Sequence, residues 1–385
     1  QKTAYEIMPS LVGSEMCIRD RVIIEELTGL IETLLDVSNE FQRTLLPGYT
    51  HMQPAQPTTV GHWCLSYVDM LLRDLERFRE AYSRTNLSPL GAAALSGSTA
   101  HIDRNYVALL MGFEGLVENT MDAVSSRDFI ADIAYAASSL MTTLSRFSQD
   151  LIFLSSLGLV KISDRYVSTS SIMPQKRNAV VAETQRAMAS TTVSHLMAIL
   201  GVLKALNSTY NLDFQEITKH LWASIKEVED TVKVFKGMTS SLSFDESMAR
   251  RISKAGLITA SDIAEFLSIK YGVPFREAHK IVGSVMRKAE GRPIREGELA
   301  SEIMKVARKF AKLKVDPKEL IKVMDPKAAL KARRAIGAPN PKEVSRMIRD
   351  RKDKISNVKR WLDEKREALK VAKMKLKSEI LTVRG

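Results

Sequence analysis

Three stretches of the chain, Phe129 to Leu157, Ala179 to Leu206 and Gln215 to Leu242, read as helices about twice the usual length. Helices that long rarely stand alone, so their presence points to a bundle in which they pack side by side. Two further segments fit that frame. From Ile23 the apolar residues Ile24, Leu27, Leu30, Ile31, Leu34, Leu35 and Phe41 recur at three- and four-residue spacing, one face of an amphipathic helix. After a loop, LPGYTHMQPAQP, a second helix carries Val60, Trp63, Tyr67, Val68, Leu71, Leu75 and Phe78 inward. No run with a period of two persists, which argues against an α/β sheet. The expected class is all-α: a long-helix bundle core with a smaller C-terminal helical domain.

The bundle is expected over residues 22–242, the smaller helical domain over 243–340 and a charged helical tail over 341–385. Beyond Ser243 the helices shorten and are punctuated by GVPF, GRPI, VDPK and IGAPNP. The tail places Ile355, Val358, Leu362, Leu369, Leu376 and Ile380 in a narrow apolar stripe, suited to a packing or coiled-coil arm. Residues 1–21, QKTAYEIMPSLVGSEMCIRDR, show no helical period and resemble a translated sequencing adaptor; they are set apart as a non-native segment.

With 385 residues, 45% hydrophobic and 26% charged, the chain can bury a large core. Its two cysteines, Cys17 and Cys64, suggest no disulfide framework and favour a reducing compartment. Six scattered histidines form no His-x-x-x-His pair, so neither a catalytic metal nor another cofactor is expected. No apolar run approaches the roughly 20 residues of a membrane span and no signal-peptide pattern opens the chain, so a soluble cytoplasmic protein without a membrane partner is expected. The net charge of +12 raises the question of nucleic acid. Residues 341–385, however, hold fifteen Lys/Arg against seven Asp/Glu. Most of the excess therefore sits in the tail, interleaved with acids and poor in aromatics, and no nucleic-acid partner is expected.

The most specific stretch is STSSIMPQKRN, Ser168 to Asn178, a polar loop with an Ile-Met-Pro insert and two adjacent cations just before a long helix. It resembles the signature loop of the fumarase/aspartase lyases, Ser-Ser-x-Met-Pro-x-Lys-x-Asn. PGYTHMQPAQP, from Pro47 to Pro57, resembles the Thr-His-x-Gln loop of the same superfamily. YNLDFQ, from Tyr210 to Gln215, resembles the Tyr-Asn-x-Asp-x-Gln motif of the argininosuccinate lyase family. NLSPLGAAALSG near Asn86, DAVSSRDF near Asp122, GLITASDIAEFL and GVPFREAHKIVG look like that family too, so the resemblance spans about Val22 to Val344.

The resemblance implies a carbon-nitrogen lyase of argininosuccinate, working as a homotetramer in which each site draws on three subunits. It assigns Ser170 as the base and His51, Lys176 and Glu183 as its catalytic companions, with Glu183 orienting His51. Thr50, Gln53, Asn178, Tyr210, Gln215 and Lys219 are its implied substrate contacts. The chemistry suits these types. Removing a proton from carbon beside a carboxylate creates a dianion, which needs fixed cations and donors where charge develops. Lys176, Asn178 and helix-terminal amides can supply them, and histidine titrates near neutrality.

There are departures from the family pattern. Thr169 replaces a glycine, which is expected to stiffen the loop. Arg177 and Ala179 stand where Lys and Pro are common, and Thr218 stands where a lysine is expected, with Lys219 adjacent. The resemblance also implies a Ser-Arg-Asn-Asp stretch ahead of Val22 that binds substrate carboxylates; nothing like it occurs, so an incomplete clamp and an inactive chain are the expectation. The same features leave adenylosuccinate lyase, through AQPTTVGH and Lys-Arg-Asn, as the alternative of the same class. A non-catalytic structural relative or inactive fragment is the alternative of a different class.

Overall fold

A computed structural model describes the backbone of residues 2–255, 257–289 and 296–384. The GRPI segment and Gly256 lie outside the described residues, as does the side chain of Cys17. Five long helices form the body: α1 (Lys2–Glu40), α2 (Val60–Thr85), α5 (Asp128–Ser156), α6 (Val180–Leu203) and α7 (Phe214–Thr239). Between α2 and α5 lie two short helices, α3 (Arg104–Met111) and α4 (Thr120–Ser125). The apolar stripe of α1, Ile23 through Leu35, is fully buried, as are Val60, Val68, Leu71 and Phe78 of α2. Each such side chain stabilises the fold by about 1.5–3 kcal/mol relative to exposure. Gly61 sits where α2 crosses the end of α1. A Cβ there would lie 2.6 Å from the Ser38 carbonyl oxygen, so only glycine permits this approach.

The smaller domain comprises α8 (Glu246–Ala255), α9 (Ala260–Tyr271), α10 (Phe275–Ala289), α11 (Glu296–Ala311), α12 (Pro317–Met324) and α13 (Pro326–Ala332). It has its own core around Leu267, Ile281, Ile303 and Leu320. The last helix, α14 (Pro341–Arg384), returns to the body, where Val344, Ile348, Ile355 and Leu362 join the main core. Arg351 binds both carboxylate oxygens of Asp69 at 2.9 and 3.0 Å, and Trp361 packs edge-on to Tyr82. Lys352, Lys359 and Arg366 pair with Asp36, Glu32 and Glu25 of α1. Much of the basic tail is thus neutralised by the protein's own acids.

Two features differ from the sequence-based expectation. The segment read as a loop at Pro47 to Pro57 is an antiparallel hairpin, β1 (Leu45–Thr50) with β2 (Gln53–Thr59). Its three prolines hide the strand signal, and a register shift at Gly48 accommodates them. The backbone of α1 also runs unbroken through the segment 2–21 that was set apart. Within it the Asp20 carboxyl is fully buried, and neither oxygen has a hydrogen-bond partner among the described residues. Burial pushes its pKa well above the usual carboxylate range, although the Arg21 guanidinium works against that shift.

Candidate functional site

The residues singled out from sequence fall into three groups. Thr50, His51 and Gln53 occupy the tip of the β1–β2 hairpin, where Thr50 pairs with Gln53 across a two-residue turn. His51 (φ 52°) and Met52 (φ 60°) both adopt left-handed backbone, the geometry of a type I′ turn. Neither is glycine or asparagine, so the turn holds local strain, and it projects the exposed His51 into solvent.

The second group is the loop before α6. Ser168–Thr169 and Arg177–Asn178 pair as a minimal antiparallel ladder, and the Ser170 amide donates to the Lys176 carbonyl at 3.2 Å. Thr169 therefore sits in extended backbone that does not require glycine. The Ser170 hydroxyl oxygen accepts the backbone N–H groups of Ile172 at 3.3 Å and Met173 at 3.1 Å. Two amides aimed at one hydroxyl oxygen favour negative charge there, the property needed of a serine that gives up its proton to act as base.

The two cations of the loop are partitioned. Arg177 forms an ion pair with Asp164 and so fastens the loop to the preceding 3-10 turn, Asp164–Tyr166. Lys176 is exposed and has no carboxylate partner among the described residues. Helix α6 opens at Ala179 without a side-chain cap, so its first amides face the same loop. Glu183 is exposed in that first turn, and no hydrogen bond joins it to His51 among the described residues.

The third group lies at the other end of α6. Gln215 donates to the Tyr210 hydroxyl at 3.1 Å, and Lys219 pairs with Glu216 on the next turn of α7. Tyr210 packs edge-on to Phe214, and the Arg127 guanidinium lies over the Phe214 ring, 4.8 Å from its centroid. Arg127 is buried, donates to the carbonyls of Val124 at 3.3 Å and Ser126 at 2.5 Å, and is pushed down to about 10 by that burial. It was not singled out from sequence, although the DAVSSRDF motif contains it. An arginine is usually exposed, and nothing in the motif spacing reveals that this one faces inward.

With 24 residues, α6 is about 36 Å long. The Ser170 loop and the Tyr210–Gln215 pair therefore stand at opposite ends of one rod. Tyr49 packs edge-on against Phe153 near the end of α5, which puts the hairpin at the serine-loop end of the body. Along α6, only Ala182, Gln185, Ala189, Thr192 and Ile199 are buried. Val193, Met197 (63% exposed) and Leu200 face outward. This helix alone, among the described residues, is long and apolar enough by length and composition to cross a membrane, unlike the expectation drawn from the sequence, and it carries Glu183, Arg186 and His195.

No group of three or more His, Cys, Asp or Glu side chains that could hold a metal ion occurs among the described residues.

Residues 14–194 match a family model described as lyase, and residues 257–331 match one described as argininosuccinate lyase C-terminal. The chain is 40% identical to argininosuccinate lyase of Methanothrix thermoacetophila over 346 residues, 89% of this chain and 71% of that protein. Against the Methanocaldococcus jannaschii argininosuccinate lyase it is 38% identical over 370 residues, 95% of this chain and 76% of that one. Among solved structures, EDDS lyase in complex with formate superposes with a TM-score of 0.89 at 26% identity, covering 97% of this chain and 77% of that one. The class II fumarase of Schistosoma mansoni superposes at 0.71 with 17% identity, covering 84% and 69%, a likeness of fold.

Proposed function

This chain belongs to the argininosuccinate lyase family, and we infer that it splits argininosuccinate into fumarate and arginine by the following division of labour. Ser170 removes the proton from the succinyl carbon next to a carboxylate. The electron pair left behind is delocalised into that carboxylate as a dianion, then forms the fumarate double bond as the carbon-nitrogen bond breaks. The departing guanidino nitrogen takes up a proton from His51. Lys176, Asn178 and the uncapped amides of α6 oppose the developing charge, a contribution worth several kcal/mol when donors are fixed beforehand. Thr50 and Gln53 bind carboxylate, and Tyr210, Gln215 and Lys219 receive the arginine portion. Glu183 orients His51 in the assembled site.

The observation that carries this reading is the Ser170 oxygen held by two backbone amides beside a cation without a carboxylate partner. A homotetramer with sites shared between subunits follows as part of the proposal. Two groups at opposite ends of a rod of about 36 Å cannot serve one substrate within one chain. An antiparallel second copy of α6 would bring the serine loop of one chain beside the Tyr210 end of another and cover Val193, Met197 and Leu200. We place the enzyme in the cytoplasm, a reading supported by the low cysteine content, two in 385 residues.

The test is direct and also decides the expectation of an inactive chain: argininosuccinate is supplied to the purified chain, and fumarate release, followed by its ultraviolet absorbance, would overturn that expectation. Release of fumarate from adenylosuccinate with none from argininosuccinate would overturn the assignment.

A further inference from the structure

A cleft of about 920 Å³ separates the β1–β2 hairpin from the smaller domain, within the size range of sites that take small molecules. One wall is the hairpin, from Gly48 to Thr50 and from Gln56 to Thr58; the other comes from α9, α12, α13 and the turn after them. The walls are cross-braced. Gln56 donates to the Ser261 hydroxyl at 3.0 Å and the His62 ring bonds the Gly337 carbonyl at 2.9 Å; within the smaller domain's wall, Arg333 pairs with Asp262 at 3.0 Å. Most of the lining is apolar, with Phe266 and a row of alanines on α13.

Three charged side chains on this lining are not used by the fold. Lys322 on α12, Arg334 after α13 and Glu265 on α9 have neither an ion-pair nor a hydrogen-bond partner among the described residues. By contrast Lys270, on the same rim, is committed to Glu319. Two free cations and one free carboxylate around an apolar floor select against simple ions. A dicarboxylate would meet Glu265, and a diamine would meet Lys322 and Arg334. A zwitterion with an aliphatic stem satisfies all three groups.

We propose that this cleft binds a free α-amino acid, its carboxylate on Lys322 and Arg334, its ammonium on Glu265 and its side chain over Phe266. The three charged groups lie on the smaller domain, apart from the loop that carries Ser170, and their binding of an amino acid does not depend on the lyase reading. The cleft shares the hairpin with the elimination site, Thr50 included. Occupancy pins the base of the strained turn that carries Thr50 and His51, and so links a free amino acid to the geometry of the catalytic histidine.

The experiment is calorimetric titration of the full chain with L-norvaline, with pentanoate and butylamine as probes that lack one charge each. Norvaline is expected to bind at least about tenfold more tightly than either probe. Arg334→Gln and Glu265→Gln, both at exposed positions that do not support the core, should each weaken norvaline about tenfold or more, whereas Ser170→Ala should leave it unchanged. No norvaline binding at millimolar concentration, equal affinity in both cleft variants, or loss of binding in Ser170→Ala would each overturn the proposal. Fumarate release is not read in this test, so failure of the lyase assignment would leave its result interpretable.

Discussion

The hydroxyl oxygen of Ser170 accepts the backbone N–H of Met173 at 3.1 Å, three residues along the same loop. That bond, with its neighbour from Ile172, gives the serine an anion-friendly setting before any substrate arrives. Ser170→Ala should therefore lower fumarate release at least about 10²–10⁴-fold. Because the side chain lies on a surface loop, the unfolding midpoint should remain within experimental error of the parent. Turnover in Ser170→Ala equal to the parent's would remove Ser170 from the role of base.

Arg177 holds the loop through Asp164 and does not face the reaction. Arg177→Gln should loosen the serine's position and reduce kcat about tenfold or more while the fold persists, since small misplacements of a catalytic group are costly. The variant Asp164→Asn should have a similar effect, and combining the two should add little. Additive losses in the double variant would show that the pair does not act as one fastening.

The outward face of α6 leads to a third expectation. Met197→Glu with Leu200→Glu puts charge where an apolar seam is proposed, and light scattering should show the assembly falling to smaller species, with activity lost in parallel. A parent chain that is monomeric and active at micromolar concentration would refute both the assembly and the sharing of sites.

Asp20 makes a prediction about pH. Its folded pKa is raised by burial, while in the unfolded chain it titrates near 4, about the usual carboxylate value. Above pH 4 the unfolded form gains by ionising and the folded form does not. This residue therefore removes stability as pH rises through that region and none at lower pH. Asp20→Leu should stabilise the protein by roughly 1–3 kcal/mol at pH 7.5. Urea unfolding should show that advantage shrinking towards pH 4; a constant advantage across the range would contradict the mechanism.

Much of the body was legible because its signal is periodic. The spacing from Ile23 to Leu35 has one interpretation once burial is counted, and the helices expected at residues 129, 179 and 215 begin within a residue of those positions. The β1–β2 hairpin was not legible, since Pro47, Pro54 and Pro57 interrupt the alternation by which strands are recognised. For the site, motif spacing pointed to Ser170 and Tyr210 but not to their separation, which depends on the length and straightness of α6. The division of labour between Lys176 and Arg177 was hidden as well. Adjacent cations look alike until a partner such as Asp164 is located, and that partner lies thirteen residues upstream.

The return of α14 to the body has a consequence for how the chain reaches its native state. Glu25 and Arg366, or Glu32 and Lys359, meet across more than three hundred residues of intervening chain. Contacts of such high sequence separation close late, because the entropy of a long loop must be overcome before they repay it. Until α14 docks, the flank of α1 that it covers, and the apolar surface that Val344, Ile348, Ile355 and Leu362 close over, stays open to solvent, so completion of the body waits on a segment more than three hundred residues away.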